Sequence, residues 1–211
     1  MINGFTPESF DYVKSKGLDF IEICRNYDKD ALDFIENVDS VRAEIERTGV
    51  GIASVGRWNS FPNVKGSIDP EVLDLNLRLI DAAAKVSSPV FVLGCNYDDS
   101  VSLYKNYSVS IEYFGRIMDH ASKYGIKTAV CNCHWNNFVV SEREWEVVLG
   151  ELPELMIKYD PSHAYYRKCD YVREFSRWAE RVAHIHIKGG VIIDGNRYDD
   201  PPAGKIGRAH V

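Results

Sequence analysis

The chain has 211 residues, of which 45% are apolar and 27% charged, and a formal net charge of −6. That is enough chain for a well-buried core in one large domain or two small ones. The acidic balance argues against a nucleic-acid groove, and no run approaches the roughly 20 apolar residues of a membrane helix.

Taken in chain order, "INGF" (2–5) is a first strand candidate, and Thr6 before Pro7 opens a helix near residue 7. "KSKGLDFIEIC" reads as a helix end, the stop residue Gly17 and a second strand over 18–24. "ERTGVGIASV" repeats the pattern, with Gly49 as the stop and a third strand over 50–55. Asp69 before Pro70 starts a helix near 70, whose Val72, Leu75, Leu79 and Ala82 or Ala83 share one face. "PVFVLG" (89–94) is the fourth strand, and Ile111, Phe114, Ile117, Met118 and Ala121 form the core face of the helix after it. Gly125 then precedes the fifth strand, "IKTAVC" (126–131). The pair Ser141 and Glu144 has capping-box spacing and sets a helix start near 142, ahead of "LMIKYD" (155–160) and "VAHIHIK" (182–188).

Seven strands separated by helical stretches predict parallel pairing through right-handed crossovers. No Gly-rich phosphate fingerprint follows the first strand, which favours a (β/α)8 TIM barrel over an open nucleotide-binding sheet. Such a barrel commonly takes about 250 residues, so the chain falls short by roughly one strand and one helix.

Barrel chemistry gathers at the carboxyl ends of the strands, where this chain concentrates its polar residues. Glu22 and Arg25 end the second strand, and Arg57, Trp58 and Asn59 follow the third, with Asn96 after the fourth. Asn132 and His134 follow the fifth, Asp160 and His163 the sixth, and His186 and Lys188 end the seventh. Side chains alternate along a strand, so His184, His186 and Lys188 share one face and Ala183, Ile185 and Ile187 the other. With the apolar set turned to the helices, the polar set points inward. Asp160 shares a face with Met156 and Lys158, which places it beside His186, one unit away. A carboxylate and an imidazole so placed are a candidate pair of ligands for a divalent cation.

Each of these residues has a plainer meaning. Asp160 before Pro161 is also a helix-capping pattern, and a buried histidine is often a satisfied core residue. The core reading is preferred for His184. "CNCHW" (131–135) lacks the second cysteine pair of a structural zinc site, so Cys131 and Cys133 read as buried thiols. The five cysteines are odd in number and scattered, which suits a reducing cytoplasm, and "MINGFTPESF" shows no export pattern. Trp58 at a strand end is placed to stack on a sugar.

"YDPSH", then "HIHIKGG", then "DGNRYDDPPAG" resemble the sugar phosphate isomerase/epimerase group of the xylose isomerase-like barrel superfamily, and the likeness runs from "GLDFIEIC" onward. The resemblance implies a divalent metal (Mn, Co, Zn or Mg) at the barrel mouth, a small sugar or sugar phosphate as substrate, and proton transfer between neighbouring carbons. It implies Asp160 and His186 as metal ligands and His163 and Lys188 as catalytic residues. Glu22, Trp58, Asn132 and His134 are the expected substrate-binding residues. The particular sugar, the particular metal and the oligomeric state are not encoded in these motifs.

Two departures bear on activity. The superfamily commonly ends strand five with a metal-binding glutamate, whereas "IKTAVCNCHWNNF" has no carboxylate. This motivates an alternative expectation, a non-catalytic carbohydrate-binding barrel. The eighth strand, with its own glutamate, is also missing. "IGRAHV" (206–211) is what a common sequencing adapter encodes in one frame, so residues 1–205 are expected to be an incomplete barrel domain and 206–211 a non-native tail. A related metal-dependent DNA-repair nuclease would need more metal ligands and a basic groove.

Overall fold

The computed structural model describes residues 4–194 and 196–203, together with the backbone of 206–208. Its centre is a six-stranded sheet of β1 (Phe20–Cys24), β2 (Gly51–Arg57), β3 (Val90–Leu93), β4 (Lys127–Cys131), β5 (Met156–Tyr159) and β6 (Val182–Ile185). The strands lie in the order of the chain and every pair is parallel. Helices connect each pair, as a parallel sheet requires. They are α1 (Pro7–Ser15), which precedes β1, α2 (Asp28–Glu36), α3 (Val38–Thr48), α4 (Pro70–Lys85), α5 (Leu103–Ser122), α6 (Glu142–Glu151), α7 (Pro161–Tyr166) and α8 (Tyr171–Trp178). No helix among the described residues is long and apolar enough to cross a membrane.

The sheet curls until side chains of β1 and β6 touch across the interior, where Glu22 meets His184. Strand alternation sorts two layers of packing. Ile21, Ile23, Phe91, Leu93, Val130, Ile157 and Tyr159 face outward into a core with Phe34, Leu79, Phe114 and Trp145 from the helices. Each such large side chain contributes about 1.5–3 kcal/mol by leaving water. Val90, Val92, Ala129 and Cys131 face inward and pack with Cys133, Trp58 and Met156.

The start and stop signals correspond to real ends, although the capping chemistry differs from site to site. Gly49 takes the left-handed conformation (φ 75°) that closes α3, and Gly17 and Gly125 do the same before β1 and β4. Asp69 caps α4 through the Glu71 and Val72 amides. Thr6 and Ser141 make no such bond; the Thr6 hydroxyl pairs with Ser9 and the Ser141 hydroxyl donates to Glu144 at 2.5 Å.

Three strand expectations need correction. Of "INGF", residues 2 and 3 lie outside the described residues, and Gly4 and Phe5 are in no strand. β6 ends at Ile185, so His186 and Lys188 stand in the chain beyond it. The register also shifts between β5 and β6, pairing Ile157 with Val182 and Lys158 with His184. Ala183 is skipped by this irregularity and packs inward instead of toward the helices. Ile185 and Ile187 are 42% and 70% exposed, with no helix layer covering them.

After β6 the chain forms a hairpin of β7 (Gly190–Ile193) and β8 (Asn196–Asp199). Within the expected tail, β9 (Ile206–Arg208) runs parallel to β7, and residues 209–211 lie outside the described residues.

Candidate metal and sugar site

Glu22 is the third residue of β1 and projects into the interior between the outward-facing Ile21 and Ile23. Its Oε2 is hydrogen-bonded to His186 Nε2 and lies 3.4 Å from His184 Nε2. One ligand atom from each of the three residues falls within 4.8 Å of the others, the sole group of this kind among the described residues. Burial alone would raise the Glu22 carboxyl, but the bonds and charge of the two imidazoles outweigh it and hold it well below the usual range. Its second oxygen, Oε1, is buried without a partner. Trp58 stands edge-on to His186, ring centres 6.1 Å apart, and the Lys158 ammonium lies over the Trp58 ring at 5.3 Å.

Asp160 occupies a separate place. Oδ1 accepts from the Ser162 amide (2.9 Å) and hydroxyl (2.7 Å), capping α7, so the plainer reading of Asp160-Pro161 describes it well. Oδ2 lies 3.6 Å from His163 Nε2 and 3.9 Å from Lys188 Nζ. No hydrogen bond or ion pair joins Asp160 to His186 among the described residues, and Asp160 is outside the three-ligand group. The structure groups His186 with Glu22 and His184, and Asp160 stands apart from that group. His184, for which the core reading was preferred, brings its imidazole to the Glu22 carboxylate.

The other expected residues gather around Asp160. Asn132 donates to the Asp160 carbonyl at 3.0 Å and accepts from the Asp160 amide at 2.9 Å, extending the β4–β5 pairing by one side-chain rung. His134 Nδ1 lies 3.3 Å from His163 Nδ1, and burial, with the charge of His163 next, keeps His134 below the usual histidine value. Lys188 bonds Asp200 at 3.2 Å, and Asp200 is also held by Tyr166 and Arg197. Arg197 stacks on Trp135 at 4.4 Å, bringing the β7–β8 hairpin against the loop after β4. The roles of Arg197, Asp200 and Trp135 escaped the sequence reading, because nothing in local spacing pairs a hairpin residue with a loop more than 60 positions earlier.

The donor set of one carboxylate and two imidazoles suits a divalent first-row metal, and the unpartnered Glu22 oxygen is an atom such an ion would satisfy. A curled parallel sheet with polar groups at its carboxyl ends is the architecture of barrel enzymes. By sequence, residues 10–208 match the xylose isomerase-like TIM barrel family, and the chain belongs to it. Solved structures with the same fold include a xylose isomerase domain protein from Alicyclobacillus acidocaldarius (13% identity, TM-score 0.72), with 97% of this chain and 77% of that one covered. They also include 3-keto-D-glucoside 4-epimerase from E. coli (16% identity, TM-score 0.71; 86% and 73% covered). D-allulose 3-epimerase from Methylomonas sp. in complex with D-allulose matches at 17% identity and TM-score 0.71 (92% and 72% covered). No curated protein sequence matches the chain.

Proposed function

We propose that the chain is a metal-dependent sugar or sugar-phosphate isomerase or epimerase that moves a proton between adjacent sugar carbons. The observation that carries this reading is the Glu22, His184 and His186 group with its orphaned Glu22 oxygen, set in a barrel whose structural relatives include sugar epimerases. When bound, a divalent cation such as Mn, Co or Zn supplies Lewis acidity that makes the C–H beside a sugar carbonyl easier to ionise. The chain's own part is to hold and orient. Glu22, His184 and His186 are the holding residues. Asp160 Oδ2 lies 3.6 Å from His163 Nε2, and Lys188 brings a cation to the same carboxylate at 3.9 Å. In this reading His163 and Lys188 exchange protons with substrate oxygens, and Trp58, edge-on to His186, is the sugar-facing surface. Asn132 acts through Asp160, whose backbone it clamps. Five free cysteines support residence in a reducing cytoplasm.

Two measurements test the reading. The intact protein, titrated with Mn, Co or Zn, should bind one ion with a rise in Tm that is lost in His186→Ala. With metal present, deuterium from heavy water should enter D-fructose at the carbon beside its carbonyl. Binding of metal and sugar with no deuterium entry would favour the carbohydrate-binding alternative, whose support is the absence of a carboxylate from β4 and the loop after it.

A further inference from the structure

β6 is an edge strand that nothing shields. Among the described residues no strand pairs with its far side. The His186 amide donates to the Tyr159 carbonyl of β5 at 2.8 Å, so strand alternation turns the Ile185 amide and carbonyl away from β5, to the open side. Proteins usually protect such an edge with a lysine, a proline, or a covering helix or loop. Val182–Ile185 contains no proline, acid, lysine or arginine, and Ile185 stands 42% exposed. An open groove of about 420 Å3 runs along the strand, with Phe175 of α8 and Ala179 just beyond it on the other side.

The irregularity at Ala183 gives this edge a particular symmetry. Val182 packs on the outer core, Ala183 packs on the inner wall, His184 reaches inward to Glu22, and Ile185 points outward. Read along the strand, the faces run outer, inner, inner, outer, and they read the same in reverse. A regular four-residue strand alternates, so laid antiparallel on a copy of itself with its ends aligned it would set outer residues against inner ones. This strand matches face to face. We propose that a second copy of this chain docks on β6, the two strands pairing antiparallel about a two-fold axis that passes between Ala183 and His184. Val182 then lies opposite Ile185 of the partner subunit on the outer face, and Ala183 opposite His184 of the partner subunit on the inner face.

This occupant supplies what the edge lacks. The Ile185 amide and carbonyl gain a strand partner, and the Val182 and Ile185 contact, made twice by the symmetry, takes apolar surface out of water. No carboxylate, lysine or arginine lies among the four paired residues, so no like charges are brought together. A contact that uses the same patch on both copies closes at two, whereas pairing of β6 with the other edge strand, β1, of a further copy would leave an open edge at each end and continue indefinitely.

The test is sedimentation equilibrium of the intact protein from about 1 to 100 μM, a range suited to a contact of one strand pair and a few side chains. The mass should rise from 24.0 kDa toward twice that value. Ile185→Lys, which installs the usual edge protection, should hold the single-chain mass throughout with the far-ultraviolet circular dichroism of the wild type. In the wild type, hydrogen exchange at the Ile185 amide should slow by about tenfold or more across the same range, a readout that decides the matter even if Ile185→Lys folds poorly. A single-chain mass at every concentration overturns the proposal. So does a dimer that persists in Ile185→Lys with exchange at Ile185 independent of concentration, which would place the contact on another face. Growth past the dimer that Ile185→Lys abolishes overturns the two-fold arrangement, since β6 would then be meeting a different patch.

Discussion

Glu22 on the first strand of the sheet and His186 just past the last are hydrogen-bonded across the interior, 164 positions apart in the chain. This contact joins the two edges of the curled sheet through side chains, and it brings the acid and both imidazoles to one point. Glu22→Gln keeps the shape and removes the charge. Loss of a charged, partly buried hydrogen bond is expected to cost about 1.5–3 kcal/mol, read as a fall in the urea midpoint without metal. The same substitution should reduce the metal-dependent rise in Tm sharply, because an amide is a poor replacement for a carboxylate ligand.

Asp160→Ala separates the two carboxylates. It removes the α7 cap and two short hydrogen bonds, so stability should drop by about 1–2 kcal/mol. The metal-induced rise in Tm should survive, since Asp160 is outside the Glu22, His184 and His186 group. A loss of metal binding in Asp160→Ala equal to that in His186→Ala would show that Asp160 joins the coordination sphere.

Gly94 tests how tightly the mouth is built. A Cβ there would stand 1.7 Å from Asn137 Oδ1 and 2.7 Å from the Trp58 carbonyl. Gly94→Ala must push the loop after β4 or the end of β2 aside, and overpacking of this kind costs about 1–3 kcal/mol. Trp58 and Trp135 report on both segments, so the emission spectrum should change along with the fall in Tm.

The hairpin attachment has a defined acid limit. Burial raises the Asp200 carboxyl, but bonds from Tyr166, Arg197 and Lys188 outweigh it and leave it below the usual aspartate value. A group lowered by folding contributes stability that is complete above its unfolded value, about 3.9, and is lost as pH falls through the folded one. The hairpin should therefore stay docked at pH 5 and release only as pH falls below the ordinary aspartate value. Asp200→Asn should abolish that acid step in Trp135 fluorescence and weaken docking at neutral pH.

Sequence reasoning reached the fold because local signals sufficed for it. The stop glycines Gly17, Gly49 and Gly125, the Pro7 and Pro70 starts and the β-rich runs each depend on a few neighbouring residues, and together they fix an alternating, parallel architecture. The inward face of β5 followed from alternation alone, with Met156 packing inside and Ile157 and Tyr159 outside. The site was only partly legible. Asp160 and His186 were each placed at the mouth, but their joining depended on register, and the irregularity at Ala183 with the early end of β6 changed which groups meet. Glu22 was expected to face substrate; its meeting with two histidines needs the curvature of the entire sheet, which no local pattern encodes. Cys131 and Cys133 read correctly as buried.

The strand order β1 to β6 follows the chain without interruption, and this shapes how the molecule is assembled. Each parallel pair can form from a neighbouring strand, helix and strand, at modest loop-closure cost. Curling the sheet onto itself has to wait for the distant ends. Until β6 arrives during synthesis and Ala183 packs against them, Val90, Val92 and Ala129 lack that cover. The nascent chain then has most need of a chaperone shortly before its last strand is complete.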